Sequence, residues 1–357
     1  MYGGRILGQG TYGCVFQPAL RCQGSTSPSD SRTVGKITSS LDAHNELDIS
    51  QYLKSLPGSS NYTIPVDTDS CTPSPHSKHA EKDLDKCDLL DTIELDKTIQ
   101  LIMPWGGLPV TRINLNPTHF DFFKFFENIL AVGAFLVTND ICHFDIWDQN
   151  ILVDTHALPK LIDFGFAFRP STLTDADIHT RWREIGFEHD TETPEVTLML
   201  GMEYEQYMIP YITANNLEES KPAVQRLVSL CDVVPSQWTS ELCKWSEDSQ
   251  SFQQKNWLSC WKVYWPGFDA WAIGAVLLEI LEIQMTVPGF THSETWKTRG
   301  EDVKKIIRGL CRGHPAYRID AAEALSLWTN GAHPLIASES VGSDWVSQKI
   351  LMRNPHQ

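Results

Sequence analysis

The stretch Cys142–Asp154, CHFDIWDQNILVD, constrains this chain more than any other. It places a carboxylate at Asp145 and an amide at Asn150 in a compact, turn-like segment. Ahead of it, Thr118–Thr138 has helical periodicity, with Phe122, Phe125, Phe126, Ile129, Val132, Phe135 and Leu136 on one face. Behind it come a β-branched and leucine run and then Leu161-Ile162, which leads into Asp163-Phe164-Gly165. A base-like Asp, an amide and a second Asp at these spacings match the needs of magnesium-assisted phosphoryl transfer. That reaction asks the protein for metal ligands and an oriented hydroxyl, with little covalent chemistry.

Charge and composition narrow the classes. The 45 acidic residues outweigh 29 basic ones, for a formal net charge of -16. An acidic chain is a poor nonspecific binder of nucleic acid or anionic membrane, and a basic partner or substrate suits it better. The most apolar runs are Phe120–Val137 and Ala270–Ile283. The first carries Asp121, Lys124 and Glu127, and the second is short and carries Glu279 and Glu282, so neither reads as a membrane span. The N-terminus lacks a basic-then-apolar signal pattern. The nine cysteines are odd in number and scattered, which predicts unpaired thiols in a reducing compartment and a soluble, intracellular protein.

The first hundred residues read as β-rich. Gly4–Phe16, GRILGQGTYGCVF, is strand, Gly-rich turn and strand, because Ile6 and Leu7 precede Gly8, Gly10 and Gly13 while Val15 and Phe16 follow. Glycines let backbone amides approach phosphate oxygens. The pattern G-x-G-x-x-G also marks dinucleotide-binding folds, but those continue into a helix, and here β-formers and Pro18 come next. A plain Gly-rich hairpin is the competing reading. A polar loop over 17–32 leads to Thr33-Val34-Gly35-Lys36-Ile37, a short strand with one embedded Lys. Leu41–Leu56 has helical spacing, and its Glu46 is the candidate to hold Lys36 extended; an ordinary exposed helix Glu is the alternative.

Residues 57–91 are dense in Pro, Ser, Asp and His and read as an insertion or long loop, with Tyr62–Val66 as a strand within it. Cys71, His76, His79 and Cys87 lie there, but their spacing fits no standard zinc pair, so an unliganded polar loop is expected. Thr98–Pro104 is a buried-type strand that Trp105-Gly106-Gly107 ends as a linker. The later chain reads as helical: Val196–Met202 after Pro194-Glu195, Val224–Leu230, the very apolar Phe268–Ile283, Glu301–Leu310 and Asp320–Trp328. Between Tyr204 and Pro266 lie five tryptophans, read mainly as core because large aromatics are mostly buried.

Together these pieces resemble the eukaryotic-type protein kinase superfamily, over about residues 4–330. GQGTYGCV resembles its Gly-rich loop, G-x-G-x-x-G-x-V. His143-Phe144-Asp145 with Asn150 resembles H-R-D-x-x-x-x-N, and Asp163-Phe164-Gly165 matches the metal-binding triplet. Thr193-Pro194-Glu195 is similar to A-P-E, and Asp269-Ala270-Trp271-Ala272-Ile273-Gly274 to D-x-W-x-x-G. The opening is also similar to kinase-like proteins of large DNA viruses.

The resemblance implies an α+β, two-lobed kinase-like fold: a small antiparallel β lobe, 1–106, and a larger, mainly helical lobe, 107–330. An insertion at about 203–266 and a C-terminal extension, 331–357, complete it. It implies ATP and Mg2+ as cofactors and transfer of the γ-phosphate to Ser/Thr hydroxyls of a protein substrate, in the cytoplasm (host cytoplasm or virion if viral). Leu7 and Val15 would cover the adenine, and the backbone of Gly8, Gln9, Gly10, Thr11, Tyr12 and Gly13 would lie over the phosphates. Lys36, held by Glu46, would contact the α- and β-phosphates. Asp163 and Asn150 would hold magnesium, and Asp145 would be the catalytic base. His143 would be structural, and Arg318 would pair with Glu195.

Three departures bear on function. Phe144 replaces the Arg that would pair with a phosphorylated activation segment, so activity is expected not to need such phosphorylation. Trp147 stands where Ser/Thr kinases carry a Lys beside the transferring phosphate. The string H-x-D-x-W-x-x-N, from His143 to Asn150, also resembles aminoglycoside- and fructosamine-type small-molecule kinases. The connection between Lys36 and Glu46 is short for the family. A protein Ser/Thr kinase is the leading reading. A small-molecule kinase and a nucleotide-binding pseudokinase scaffold are the alternatives.

Overall fold

A computed structural model describes residues 4–10, 13–25, 30–67, 69–74, 81–154, 158–182, 190–203 and 214–353. Thr11, Tyr12, His76 and His79 lie outside the described residues, as do parts of the segments 166–193 and 203–266.

The Gly-rich stretch folds as a hairpin. Strand β1 (Arg5–Gly10) pairs antiparallel with β2 (Gly13–Gln17), with Gly10 opposite Gly13 and a register shift between Ile6 and Gly8. Strands β3 (Thr33–Ser39) and β4 (Thr98–Pro104) continue the sheet in the order β1-β2-β3-β4, all antiparallel. Gly13 is required where β3 passes close, because a Cβ there would collide with the Ile37 carbonyl oxygen. Strand β3 runs directly into helix α1 (Ser40–Ser55), whose first turn is capped by the Ser39 hydroxyl accepting from the Asp42 amide. Ala43, Glu46, Ile49, Ser50 and Leu53 recur at helical spacing and form its buried face.

The chain divides into two compact units, Met1–Gly107 with Lys160–Ala167, and Leu108–Pro159 with Phe168–Gln357. The first holds the small antiparallel sheet and the second most of the helices, an α+β arrangement.

Two sequence expectations fail in the first unit. Tyr62–Val66 is not a strand: Thr63 makes one parallel bridge to Leu161, and Pro65 has no amide to extend the ladder. The cysteines are not all unpaired either. Cys14 is disulfide-bonded to Cys87, and Cys22 to Cys71. The pairing depends on tertiary approach, since the bonded Cα atoms are 5.8 and 5.6 Å apart across separations of 73 and 49 residues. Both bonds staple residues 57–91 onto the sheet region, so that insertion is no free loop. Cys71 and Cys87 are thereby removed from any zinc site, and the argument for a reducing compartment loses its ground. The Cys14–Cys87 bond lies in a small core with Phe16, Leu20 and Ile37, against which Ile6, Leu84 and Leu89 pack.

The second unit is built on two apolar helices, Phe122–Thr138 and Pro266–Met285. Gly133 lets them approach closely, since a Cβ there would meet the side chains of Ile273 and Ala321. Helix Ala321–Thr329 packs on Phe122–Thr138 and is started by Asp320, which accepts from the Ala322 and Glu323 amides. Trp238, Trp245, Trp257, Trp261 and Trp265 are all buried, as core aromatics should be. The expected Arg318–Glu195 pair forms as a two-pronged contact of 2.6 and 2.9 Å with both side chains fully buried. The terminal segment also carries a helix, Val341–Arg353, tied back by the Trp345 indole donating to Asp320 at 2.7 Å. Among the described residues no helix is long and apolar enough to cross a membrane.

The disulfides predict a thiol count. The protein purified without reductant and unfolded in guanidinium should expose five titratable thiols, those of Cys142, Cys231, Cys243, Cys260 and Cys311. Nine thiols under those conditions would contradict the pairing.

Candidate active site

In the first unit three predicted residues come together. The Lys36 ammonium donates to Glu46 Oε2 at 2.8 Å and to Asp163 Oδ1 at 2.6 Å. The Lys36 and Glu46 side chains are only 10% and 2% exposed, whereas that of Asp163 is 35% exposed. Lys36 sits mid-strand, opposite Val15 on β2 and Leu101 on β4, so its stem is fixed by the sheet. Because β3 enters α1 without a loop, the short connection still brings Glu46, in the second turn, onto the lysine. Burial alone would push the Lys36 pKa down. The Asp163 and Glu46 carboxylates outweigh it and hold the ammonium above its ordinary range, so it stays charged. Burial pushes the Glu46 carboxyl up, and the Lys36 charge opposes that.

Asp163 has a left-handed backbone, φ 64, a conformation that Asp tolerates better than bulky residues do. The turn after it is held by Asn45, whose side-chain amide donates to the Gly165 and Ala167 carbonyls at 2.7 and 3.0 Å. Sequence reading missed Asn45, and only its place beside Glu46 could have signalled it. On the hairpin, Gly8, Gln9 and Gly10 are exposed while Leu7 and Val15 are half-buried. A Cβ added at Gly8 or Gly10 would meet nothing within 4 Å, so packing among the described residues does not itself require glycine there. Gln9 is tied to the stapled insertion: its amide donates to Asp88 Oδ2 at 3.0 Å.

In the second unit Asp145 and Asn150 come together. Asn150 Nδ2 donates to the Asp145 carbonyl at 2.9 Å and to Asp145 Oδ2 at 3.0 Å. The loop is hung from helix Pro266–Met285 by Asp269. Its Oδ2 accepts from the His143 amide at 2.7 Å and its Oδ1 from the Phe144 amide at 2.8 Å. Burial pushes the Asp269 carboxyl up, while His143 and the two amides favour its charged form. His143 is fully buried, and its Nδ1 accepts from the Asp145 amide at 3.3 Å, a structural arrangement. Phe144 has φ 63 and packs among aromatic rings. Trp147 is 38% exposed.

In the first unit the buried Lys36 ammonium is flanked by two carboxylates, of which the more exposed, Asp163, offers carboxylate oxygens; in the second unit Asn150 carries an amide oxygen; both are ligand types that a hard cation takes. Among the described residues no cluster of three or more His, Cys, Asp or Glu could hold a metal ion. No family model matches the chain, and no curated protein matches it either.

The Asp269 anchor predicts a measurable loss. Asp269→Asn keeps the side-chain shape but leaves one acceptor oxygen for two amides, at a cost of about 1.5–3 kcal/mol. Denaturant unfolding should show the midpoint falling accordingly. An unchanged midpoint would mean that the loop is held by something else.

Proposed function

We propose that the protein is an ATP- and magnesium-dependent kinase that phosphorylates Ser/Thr hydroxyls of a protein substrate. The observation that carries this reading is the buried Lys36 ammonium, held between Glu46 and Asp163. A buried lysine fixed on a strand next to a Gly-rich hairpin is suited to grip α- and β-phosphates. In this reading Asp163 and Asn150 supply oxygen ligands to magnesium, which would neutralise charge on the phosphates. Asn150 uses its nitrogen on Asp145, leaving its oxygen for the cation. Asp145 orients the accepting hydroxyl and takes its proton. The net charge of -16 favours a basic protein as acceptor.

Trp147 favours a second reading, a small-molecule kinase, because the cationic side chain common beside the transferring phosphate is replaced by an indole. The acceptor distinguishes the two. With γ-labelled ATP, label should pass to Ser or Thr of a basic protein and not to an aminosugar panel.

Asp145→Asn should lower transfer by at least a hundredfold while Mg-ATP still binds, in line with loss of a general base, worth about 10²–10⁴-fold. Equal rates for wild type and variant, with both binding nucleotide, would point to a pseudokinase scaffold instead.

A further inference from the structure

The Asp145 loop contains a costly backbone. Phe144 is bulky and non-glycine, yet its φ is 63. Such a residue stays in the left-handed region only when its surroundings over-determine it. Two sets of contacts do so here. The Phe144 amide is fixed by Asp269, and neighbouring Cys142 exchanges both backbone hydrogen bonds with Phe168, at 3.0 and 2.9 Å. The Phe144 ring is enclosed by Trp261, Phe268 and Phe168, at centroid distances of 4.7, 5.7 and 5.8 Å.

Trp261 is the centre of this enclosure. Its ring also meets Phe168 at 5.3 Å, Phe268 at 5.4 Å and Trp182 at 5.7 Å. It is fully buried, and its indole nitrogen has no hydrogen-bond partner among the described residues. A buried donor without a partner is unfavourable, so the position is occupied for its ring and not for its polar atom. Trp261 belongs to helix Trp257–Tyr264, which passes through Trp265 directly into Pro266–Met285, the helix that carries Asp269. The ring and the carboxylate that fix Phe144 thus come from consecutive helices.

We propose that Trp261 is a positioning residue for Asp145. Its ring holds Phe144 in the left-handed turn, and that turn sets the direction of the next side chain. The inference rests on the kinase reading for its catalytic consequence. It assigns a role to the Trp-rich insertion, which supplies by aromatic packing the order at Asp145 that an arginine at residue 144 would draw from a phosphate. Order at this loop therefore needs no modification of the chain.

The test compares Trp261→Ala, Trp261→Leu and Trp261→Phe with wild type. Two readouts are taken: steady-state phosphoryl transfer, and hydrogen exchange at the amides of His143 and Phe144. Trp261→Ala should lower kcat roughly a hundredfold, as for displaced catalytic groups, with KM for Mg-ATP within about twofold. The two amides should exchange at least tenfold faster in this variant. Trp261→Phe, which keeps a ring, should stay within about threefold of wild type on both readouts. Trp261→Leu, which retains apolar volume without a ring, should follow Ala and serves where Ala does not fold. Unchanged exchange in the Ala or Leu variant, or equal losses in Leu and Phe, would overturn the proposal. Absence of transfer in wild type would refute the kinase reading alone, because the exchange measurement still decides the positioning role.

Discussion

A buried lysine charge organises the first unit. An ammonium taken out of water is costly unless carboxylates and hydrogen bonds replace the lost solvation. Lys36 meets that condition through Glu46 on α1 and Asp163 on the segment Lys160–Ala167. The requirement explains several features together. Strand β3 must lie inside the sheet so that the lysine stem is fixed, and α1 must start at once so that Glu46 falls within reach. Asn45 must hold the turn after Asp163 so that its carboxylate stays aimed.

The second unit uses buried carboxylates differently. Asp269 accepts two backbone amides and suspends the Asp145 loop from helix Pro266–Met285, while Glu195 closes a fully buried pair with Arg318. Removing one partner of such a pair would strand the other charge in a low dielectric, commonly at about 3–5 kcal/mol. Around the loop itself, packing of rings takes over. Phe144 makes aromatic contacts where an arginine would seek an anion. Aromatic packing acts at short range and carries no net charge, so it should be insensitive to salt.

Much of this was legible in the sequence, and the reason is locality. Helices announced themselves through spacing: Leu41–Leu56, Thr118–Thr138 and Phe268–Ile283 correspond to α1, Phe122–Thr138 and Pro266–Met285. The pairings of Lys36 with Glu46 and of Glu195 with Arg318 followed from motif order and are present. What was not legible depends on residues distant in sequence meeting in space. Cysteine spacing could not reveal that Cys14 meets Cys87 or Cys22 meets Cys71. Tyr62–Val66 had β-formers, but Pro65 and the lack of a continuing partner strand reduced it to one bridge. Trp261 looked like any core aromatic, and its contact with Phe144 is visible only in three dimensions. Asn45 carried no signal beyond its neighbour.

The central claim is that Lys36, aimed by Glu46, grips nucleotide phosphates. It is tested most directly by calorimetric titration of Mg-ATP and of adenosine, which has no phosphates, into wild type and Glu46→Gln. If the claim holds, the substitution weakens Mg-ATP binding by about tenfold, or 1.4 kcal/mol, while adenosine binding stays the same. Equal Mg-ATP affinity in the two proteins, or equal losses for both ligands, would contradict it.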